Sequence, residues 1–222
     1  VFFLTRMPSP KIILQAFAEV KPKLVIAVPL IIEKIVKKNV LPKLETPTMK
    51  FLMRVPLLND KIKTKVREQM MNAFGGEFYQ IIVGGAAFNQ EIEAFLRSIN
   101  FPYTVGYGMT ECGPIISYED WTKFKAGSCG KSAPRMEVKI LSVDPQNVPG
   151  EIVTRGDNVM LGYYKNEEAT NSVFDYDGWF HTGDLATVDK DGYYYIQGRS
   201  KNVIVTRNGK NIYPEELEAL LL

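Results

Sequence analysis

Two short segments, the continuous apolar run Leu24-Val25-Ile26-Ala27-Val28 and the largely apolar stretch Phe78 to Val83, constrain the first half of this chain most tightly. Neither alternates apolar with polar residues, so each reads as a strand buried on both faces. Helical periods flank them. Ser9-Pro10 supplies an N-cap and a proline at the first helical position, ahead of Ile13, Leu14 and Phe17. A second helix follows Pro29. Asn59 or Asp60 can cap a third through Phe74, which Gly75-Gly76 then ends. Asn89 to Ile99 is amphipathic, and Tyr103-Thr104-Val105 reads as another strand. Strand and helix alternating in this way dictate an α/β subdomain with a mostly parallel sheet.

After about Pro114 the pattern changes. Short strands at Met136 to Leu141, Glu151 to Thr154 and Tyr193 to Gln197 are punctuated by Pro145, Pro149-Gly150 and Asp191-Gly192. That spacing predicts a small antiparallel, β-barrel-like subdomain, with one short helix from Asn166 to Val173. A polar, Gly-led joint at Gly198-Arg199-Ser200-Lys201 then opens a further unit. Asn202 to Thr206 reads as a strand, Arg207 to Lys210 as a tight turn, and Pro214 as a helix start: the beginning of a C-terminal α+β domain. The expected boundaries are 1–113, 114–198 and 199–222. The start at Val1 and the uncapped apolar helix ending at Leu222 read as the ends of a fragment.

Composition excludes several classes. At 45% hydrophobic and 23% charged residues the chain is an ordinary globular sequence, neither disordered nor fibrous. A net charge of +2 with the signs interspersed gives no basic field for nucleic acid. No apolar run reaches the roughly 20 residues of a membrane helix. The single histidine rules out most imidazole-based metal sites, and Cys112 and Cys129 lack CxxC spacing. A reduced, cytoplasmic compartment is the default expectation.

Several segments carry chemistry. Gly106-Tyr107-Gly108-Met109-Thr110-Glu111 follows a strand, where open α/β folds place ligands. Gly106 and Gly108 permit close backbone approach, the Tyr107 ring offers a flat face, the Thr110 hydroxyl can donate to a phosphate oxygen, and the Glu111 carboxylate can hold Mg²⁺. An ordinary strand-to-loop turn with a solvated glutamate is the competing reading. Gly84-Gly85-Ala86-Ala87 also follows a strand, and either forms a tight turn or leaves room for a ligand plane. Trp179-Phe180-His181-Thr182-Gly183-Asp184 sets a carboxylate just after a glycine. Asp184 can accept hydrogen bonds from a ribose diol or bond its own backbone in an Asx-turn. His181, among aromatic neighbours, suits packing or orientation better than catalysis. Arg199 suits phosphate or ribose recognition. Neither a P-loop (GxxxxGKS/T) nor a nucleophile elbow (GxSxG) occurs.

The order of these segments is more specific than any one of them. Gly-Gly-Ala-Ala, Tyr-Gly-Met-Thr-Glu, Pro149-Gly150-Glu151-Ile152, Met160-Leu161-Gly162-Tyr163-Tyr164, His-Thr-Gly-Asp, Gly-Arg-Ser-Lys and Gly209 to Glu216 together resemble the adenylate-forming superfamily. Its members are acyl-CoA synthetases, luciferases and peptide-synthetase adenylation domains. The resemblance implies that Tyr107 stacks on adenine, Thr110 contacts the α-phosphate and Glu111 binds Mg²⁺. It further implies that Gly84, Gly85 and Ala86 line the adenine and acyl pockets, with Gly108 beside the nucleotide. Asp184 would hold the ribose hydroxyls with help from Arg199, and Lys201 would stand at the hinge between the family's large and small domains. The implied cofactors are ATP or AMP, Mg²⁺ and coenzyme A as co-substrate.

The chemistry implied has two halves: a carboxylate attacks the α-phosphate of ATP, and a thiol then displaces AMP. In the second pose the turn at Gly209, with Lys210 and Asn211, would face the site. Val20-Lys21-Pro22-Lys23, Val28-Pro29 and the segments at 179–184 and 198–202 look most like long-chain fatty acyl-CoA synthetases. A fatty acid substrate would invite a peripheral membrane contact. Medium-chain, aryl or amino acids, and a non-catalytic nucleotide-binding or interaction module, are the alternatives. The family's Ser/Thr/Gly-rich phosphate loop and its distal catalytic lysine do not occur in these 222 residues, which implies that the chain alone does not form an acyl-adenylate.

Overall fold

The structure, a computed structural model, describes residues 9–205 and 211–214. The chain forms two compact units, Val1–Tyr103 and Thr104–Leu222.

In the first unit helix α1 (Pro10–Val20) starts where Ser9 Oγ accepts the Ile12 amide. Strand β1 (Leu24–Ala27) leads into α2 (Pro29–Asn39), α3 (Leu41–Leu44), α4 (Pro47–Leu52) and α5 (Pro56–Ala73). Strand β2 (Gln80–Val83), helix α6 (Gln90–Ser98) and strand β3 (Tyr103–Val105) complete an α/β arrangement with strand order β1-β2-β3. β1 and β2 pair in parallel, Val25 opposite Ile81. The α6 start is fixed by Asn89, whose Oδ1 accepts from the amides of Glu91 (3.0 Å) and Ile92 (3.1 Å).

Two expectations need correction here. α5 begins at Pro56 rather than after Asn59 or Asp60, because proline fixes φ and has no amide to leave unsatisfied in the first turn. β2 is buried throughout, but β1 is not: Leu24 is 50% and Ile26 68% exposed. β1 is the outer strand of the three, and among the described residues only its Val25 face is covered. An apolar run records strand character; which faces are covered depends on neighbours the run does not encode.

The core of this unit gathers Ile81, Val83, Ile92 and Leu96 with an aromatic group. Phe74 lies 5.4 Å from Phe17, 5.6 Å from Phe78 and 5.9 Å from Phe101, ring to ring, at tilted or edge-on angles favoured by the aromatic quadrupole.

The second unit is built from antiparallel strands. β4 (Tyr107–Gly108), β5 (Ile115–Tyr118) and β6 (Lys131–Ser132) form one sheet. β7 (Met136–Leu141), β8 (Gly150–Gly156), β9 (Phe180–Val188) and β10 (Tyr194–Arg199) form another in the order β10-β9-β8-β7, with helix α7 (Glu167–Val173) between β8 and β9. β7 and β10 do not pair with each other, so the sheet is open, and no closed barrel occurs among the described residues. Reciprocal backbone bonds join β10 to the loop before β6: the Cys129 amide donates to the Tyr194 carbonyl and the Tyr194 amide to the Gly130 carbonyl. β11 (Ile204–Val205) and β12 (Asn211–Ile212) form a separate pair. The predicted turn at Arg207–Lys210 and the helix body beyond Pro214 lie outside the described residues.

Cys112, Ile116, Met136 and Phe180 form the buried cluster of this unit, with Tyr107, Met160 and Phe174 packed against it. Both cysteines are free, and burial pushes each thiol up to about 11. No helix among the described residues is long and apolar enough to cross a membrane.

Candidate functional site

The site grows from an irregularity in β9. Glu151 of β8 stands opposite Leu185, but Val153 stands opposite His181. Two residues on β8 therefore span four on β9, and the surplus makes a bulge at Thr182–Asp184. Gly183 takes φ +74°, a left-handed conformation that suits glycine. The backbone amides displaced from the ladder find side chains instead. Gly183 N–H donates to Glu151 Oε1 (2.9 Å), and Asp184 N–H donates to Thr182 Oγ1 (3.1 Å). Thr182 in turn donates its hydroxyl to the Ile152 carbonyl. A second irregularity, between Ile196 and Gly198 of β10, brings Arg199 opposite Asp184.

Asp184 thus becomes the meeting point of three segments. Its side chain is only 10% exposed. Oδ2 accepts a 2.7 Å hydrogen bond from the Tyr107 hydroxyl, and Oδ1 accepts one of 2.9 Å from Arg199 Nε. No bond ties the carboxylate to its own backbone among the described residues, which decides against the Asx-turn alternative. Burial first, and then the charge of Asp184, push the Tyr107 phenol well above its usual range, so it stays protonated and remains the donor. A carboxylate has about four acceptor positions, so with one partner on each oxygen there is capacity for a diol. Arg199 is 60% exposed, and among the described residues Asp184 is its one carboxylate partner.

The segment after Tyr107 is shaped by its own hairpin. A Cβ at Gly108 would collide with the Pro114 carbonyl, to which Met109 N–H donates at 2.8 Å. The absent side chain is therefore required by the protein's backbone. Thr110 is exposed at the start of a 3₁₀ turn, Thr110–Cys112. Glu111 Oε1 accepts from the Tyr163 hydroxyl at 3.0 Å, and the Glu111 carbonyl accepts from Met160 N–H at 2.7 Å. Among the described residues no cluster of three His, Cys, Asp or Glu side chains could hold a metal ion. A lone carboxylate fits Mg²⁺, which keeps most of its shell for water and phosphate oxygens, and does not fit a cation needing an all-protein cage.

The other sequence candidates are placed as follows. Gly84, Gly85 and Ala86 follow β2 in the first unit; Gly84 N–H donates to the Ala27 carbonyl, and Gly85 turns at φ +87°. Lys201 is exposed in the 3₁₀ turn Ser200–Asn202 directly after β10. His181 Nδ1 shares a 2.9 Å hydrogen bond with Glu151 Oε2, and its Nε2 lies 3.8 Å from Asp175 Oδ2, beyond hydrogen-bond distance. Glu151 and Tyr163 were not singled out as site residues from the sequence. The only sequence signal for Glu151 is a register count between two strands, and the Thr182-Gly183-Asp184 stretch of β9 carries no strand pattern of its own.

The family profile described as AMP-binding enzyme matches residues 1–164. The chain is 40% identical over 162 residues to 4-coumarate-CoA ligase 2 of Narcissus pseudonarcissus, covering 66% of this chain and 28% of that protein. It is 37% identical over 153 residues to long-chain-fatty-acid–CoA ligase FadD15 of Mycobacterium bovis, covering 69% and 24%. The fold superposes on o-succinylbenzoate coenzyme A synthetase of Bacillus subtilis in complex with ATP and magnesium ion, with a TM-score of 0.73 and 26% identity over 96% of this chain and 39% of that one. The chain spans about a quarter of the length of the curated relatives it matches.

Proposed function

Since the chain belongs to the AMP-binding enzyme family, we propose that it carries the base and ribose side of the nucleotide site in an enzyme that activates a carboxylic acid with ATP and passes it to coenzyme A. One observation carries this reading: the buried carboxylate of Asp184, gripped by Tyr107 and Arg199 from two other segments. Such a group is fixed in direction and retains acceptor capacity for the two ribose hydroxyls. Tyr107 then presents its ring to adenine, and Arg199 supports the ribose or a phosphate. Gly108 provides a small surface beside the base. Thr110 donates to the α-phosphate, and Lys201 is the hinge residue.

Glu111 would hold Mg²⁺, which offsets the polyphosphate charge when bound. The Tyr163 hydroxyl keeps the Glu111 carboxylate aligned. Long-chain fatty acid is the proposed acid, supported by the resemblance of the stretches at 20–23, 179–184 and 198–202 and by 37% identity to FadD15. The 40% identity to a 4-coumarate ligase favours a second reading, an aryl acid. Segment boundaries at 113/114 and 198/199 are part of the proposal, as are a cytoplasmic setting and a peripheral membrane contact for a fatty substrate.

AMP titration of the 222-residue chain, wild type against Asp184→Ala, tests the nucleotide site. Loss of one charged hydrogen-bonding group predicts roughly tenfold weaker binding or more. Equal affinities would refute the ribose assignment. An acid panel assayed with the enzyme containing this chain separates the two substrates: a preference for 4-coumarate would overturn the fatty-acid reading.

A further inference from the structure

The bulge that carries Asp184 is held by a residue outside the nucleotide contacts just assigned. We infer that Glu151 is a positioning residue, a two-handed clamp that fixes the β9 bulge and so aims the Asp184 carboxylate at the ribose. The inference rests on the ribose reading above.

Glu151 has one carboxylate oxygen on each of two targets. Oε1 accepts the amide of Gly183, the residue before Asp184, at 2.9 Å, and Oε2 meets His181 Nδ1 at 2.9 Å. His181 is the last paired residue before the bulge and Gly183 is the bulge's central residue, so the clamp ties the bulge to the regular strand beside it. The ladder partner that a regular β-strand would offer Gly183 is absent, because the register slips by two residues at this point. Without Glu151 the Gly183 amide has no acceptor within the sheet. A glycine at φ +74° is also the residue with the most alternative conformations to enter. Asp175 Oδ2 lies 3.8 Å from His181 Nε2 on the far side of the imidazole, and the Asp175 Oδ1 atom accepts from the amides of Asp177 and Trp179. The chain of contacts runs from the turn at Asp175 through His181 and Glu151 to the Gly183 amide, and ends one residue before the ribose acceptor.

The clamp needs an acceptor on one hand and a partner for imidazole on the other; it does not need a negative charge. Glutamine supplies both, with Oε1 for the Gly183 amide and an N–H donor for a neutral imidazole nitrogen. Alanine supplies neither.

Two measurements on the 222-residue chain test this. In amide hydrogen exchange, Glu151→Ala should speed exchange at Gly183 about tenfold, while Glu151→Gln stays close to wild type. In titrations with AMP and 2′,3′-dideoxy-AMP, Glu151→Ala should cost about tenfold in AMP affinity and leave the dideoxy analogue unaffected, with Glu151→Gln again near wild type. A general loss of structure would weaken both ligands and would not be rescued by glutamine. Unchanged exchange at Gly183 in Glu151→Ala overturns the clamp. So does a wild-type chain that discriminates the two ligands together with a Glu151→Ala chain that discriminates them equally well. A wild-type chain that makes no distinction between the ligands removes the ribose reading itself, while the exchange result still judges the bulge.

Discussion

The hydroxyl of Tyr107 and the carboxylate of Asp184, 77 residues apart in sequence, share a 2.7 Å hydrogen bond. It joins β4 to β9 and couples the residue proposed to stack on adenine to the one proposed to hold ribose. Base and sugar recognition would thus be set by one contact between two sheets of the same unit.

That bond separates two roles of Tyr107. Tyr107→Phe keeps the ring but removes a donor to a buried carboxylate, which costs roughly 2 kcal/mol of folding stability. Tyr107→Ala removes the ring as well. In chemical denaturation both variants should be destabilised, but in AMP titration alanine should lose much more than phenylalanine. Equal loss of AMP affinity would mean that the ring does not face the base.

As the proposed Mg²⁺ ligand, Glu111 would offer one carboxylate to a cation that takes its remaining ligands from water and phosphate. Glu111→Gln should therefore abolish the gain in ATP affinity that Mg²⁺ provides, and leave AMP binding in metal-free buffer unchanged. A calorimetric comparison with and without Mg²⁺ reads both. An undiminished Mg²⁺ effect would move the metal contact elsewhere.

Gly108 faces the Pro114 carbonyl rather than open space. Gly108→Ala should destabilise by about 3 kcal/mol, since the obstacle is backbone and cannot rotate away. Urea unfolding measures it. A wild-type midpoint would show that the β4–β5 hairpin can open at no cost.

Lys125 bridges Asp189 and Asp191 in the turn before β10. Burial alone would raise the Asp189 carboxyl. The Lys125 bond and the amides of Tyr193 and Asp191 outweigh it and bring the group from 3.8 down to about 2. A carboxyl depressed on folding stabilises above its unfolded pKa, and that contribution disappears as pH falls through the folded value. Lys125→Met should lower Tm near pH 6, and the difference should close between about pH 4 and pH 2. A gap that stays constant across that range would assign the effect to lost packing over the Tyr193 ring, which lies 4.5 Å from the ammonium.

Much of the α/β unit was legible because apolar run length and capping chemistry are local signals. Ser9, Asn89 and the Gly75-Gly76 stop all act within a few residues. The exposed face of β1 was not legible, since Leu24 and Ile26 carry the same composition whether covered or bare. In the second unit β7 and α7 stood out, yet β9 did not. Its Thr-Gly-Asp stretch has turn chemistry, and only the two neighbouring strands force it to continue as a strand. For the site, Tyr107, Asp184 and Arg199 were visible as separate candidates. Their convergence, and the support from Glu151 and Tyr163, depend on pairings between segments 15 to 77 residues apart.

The surplus in β9 is two residues, and the number matters. Phe180, Thr182, Asp184 and Ala186 all face inward on either side of the bulge, because an even surplus preserves the parity of a two-residue repeat. Related chains can therefore vary the length of this stretch only in steps of two. A single inserted or deleted residue would turn either Asp184 or Phe180 out toward solvent, so gaps in this stretch should be counted as odd or even before they are counted as long or short.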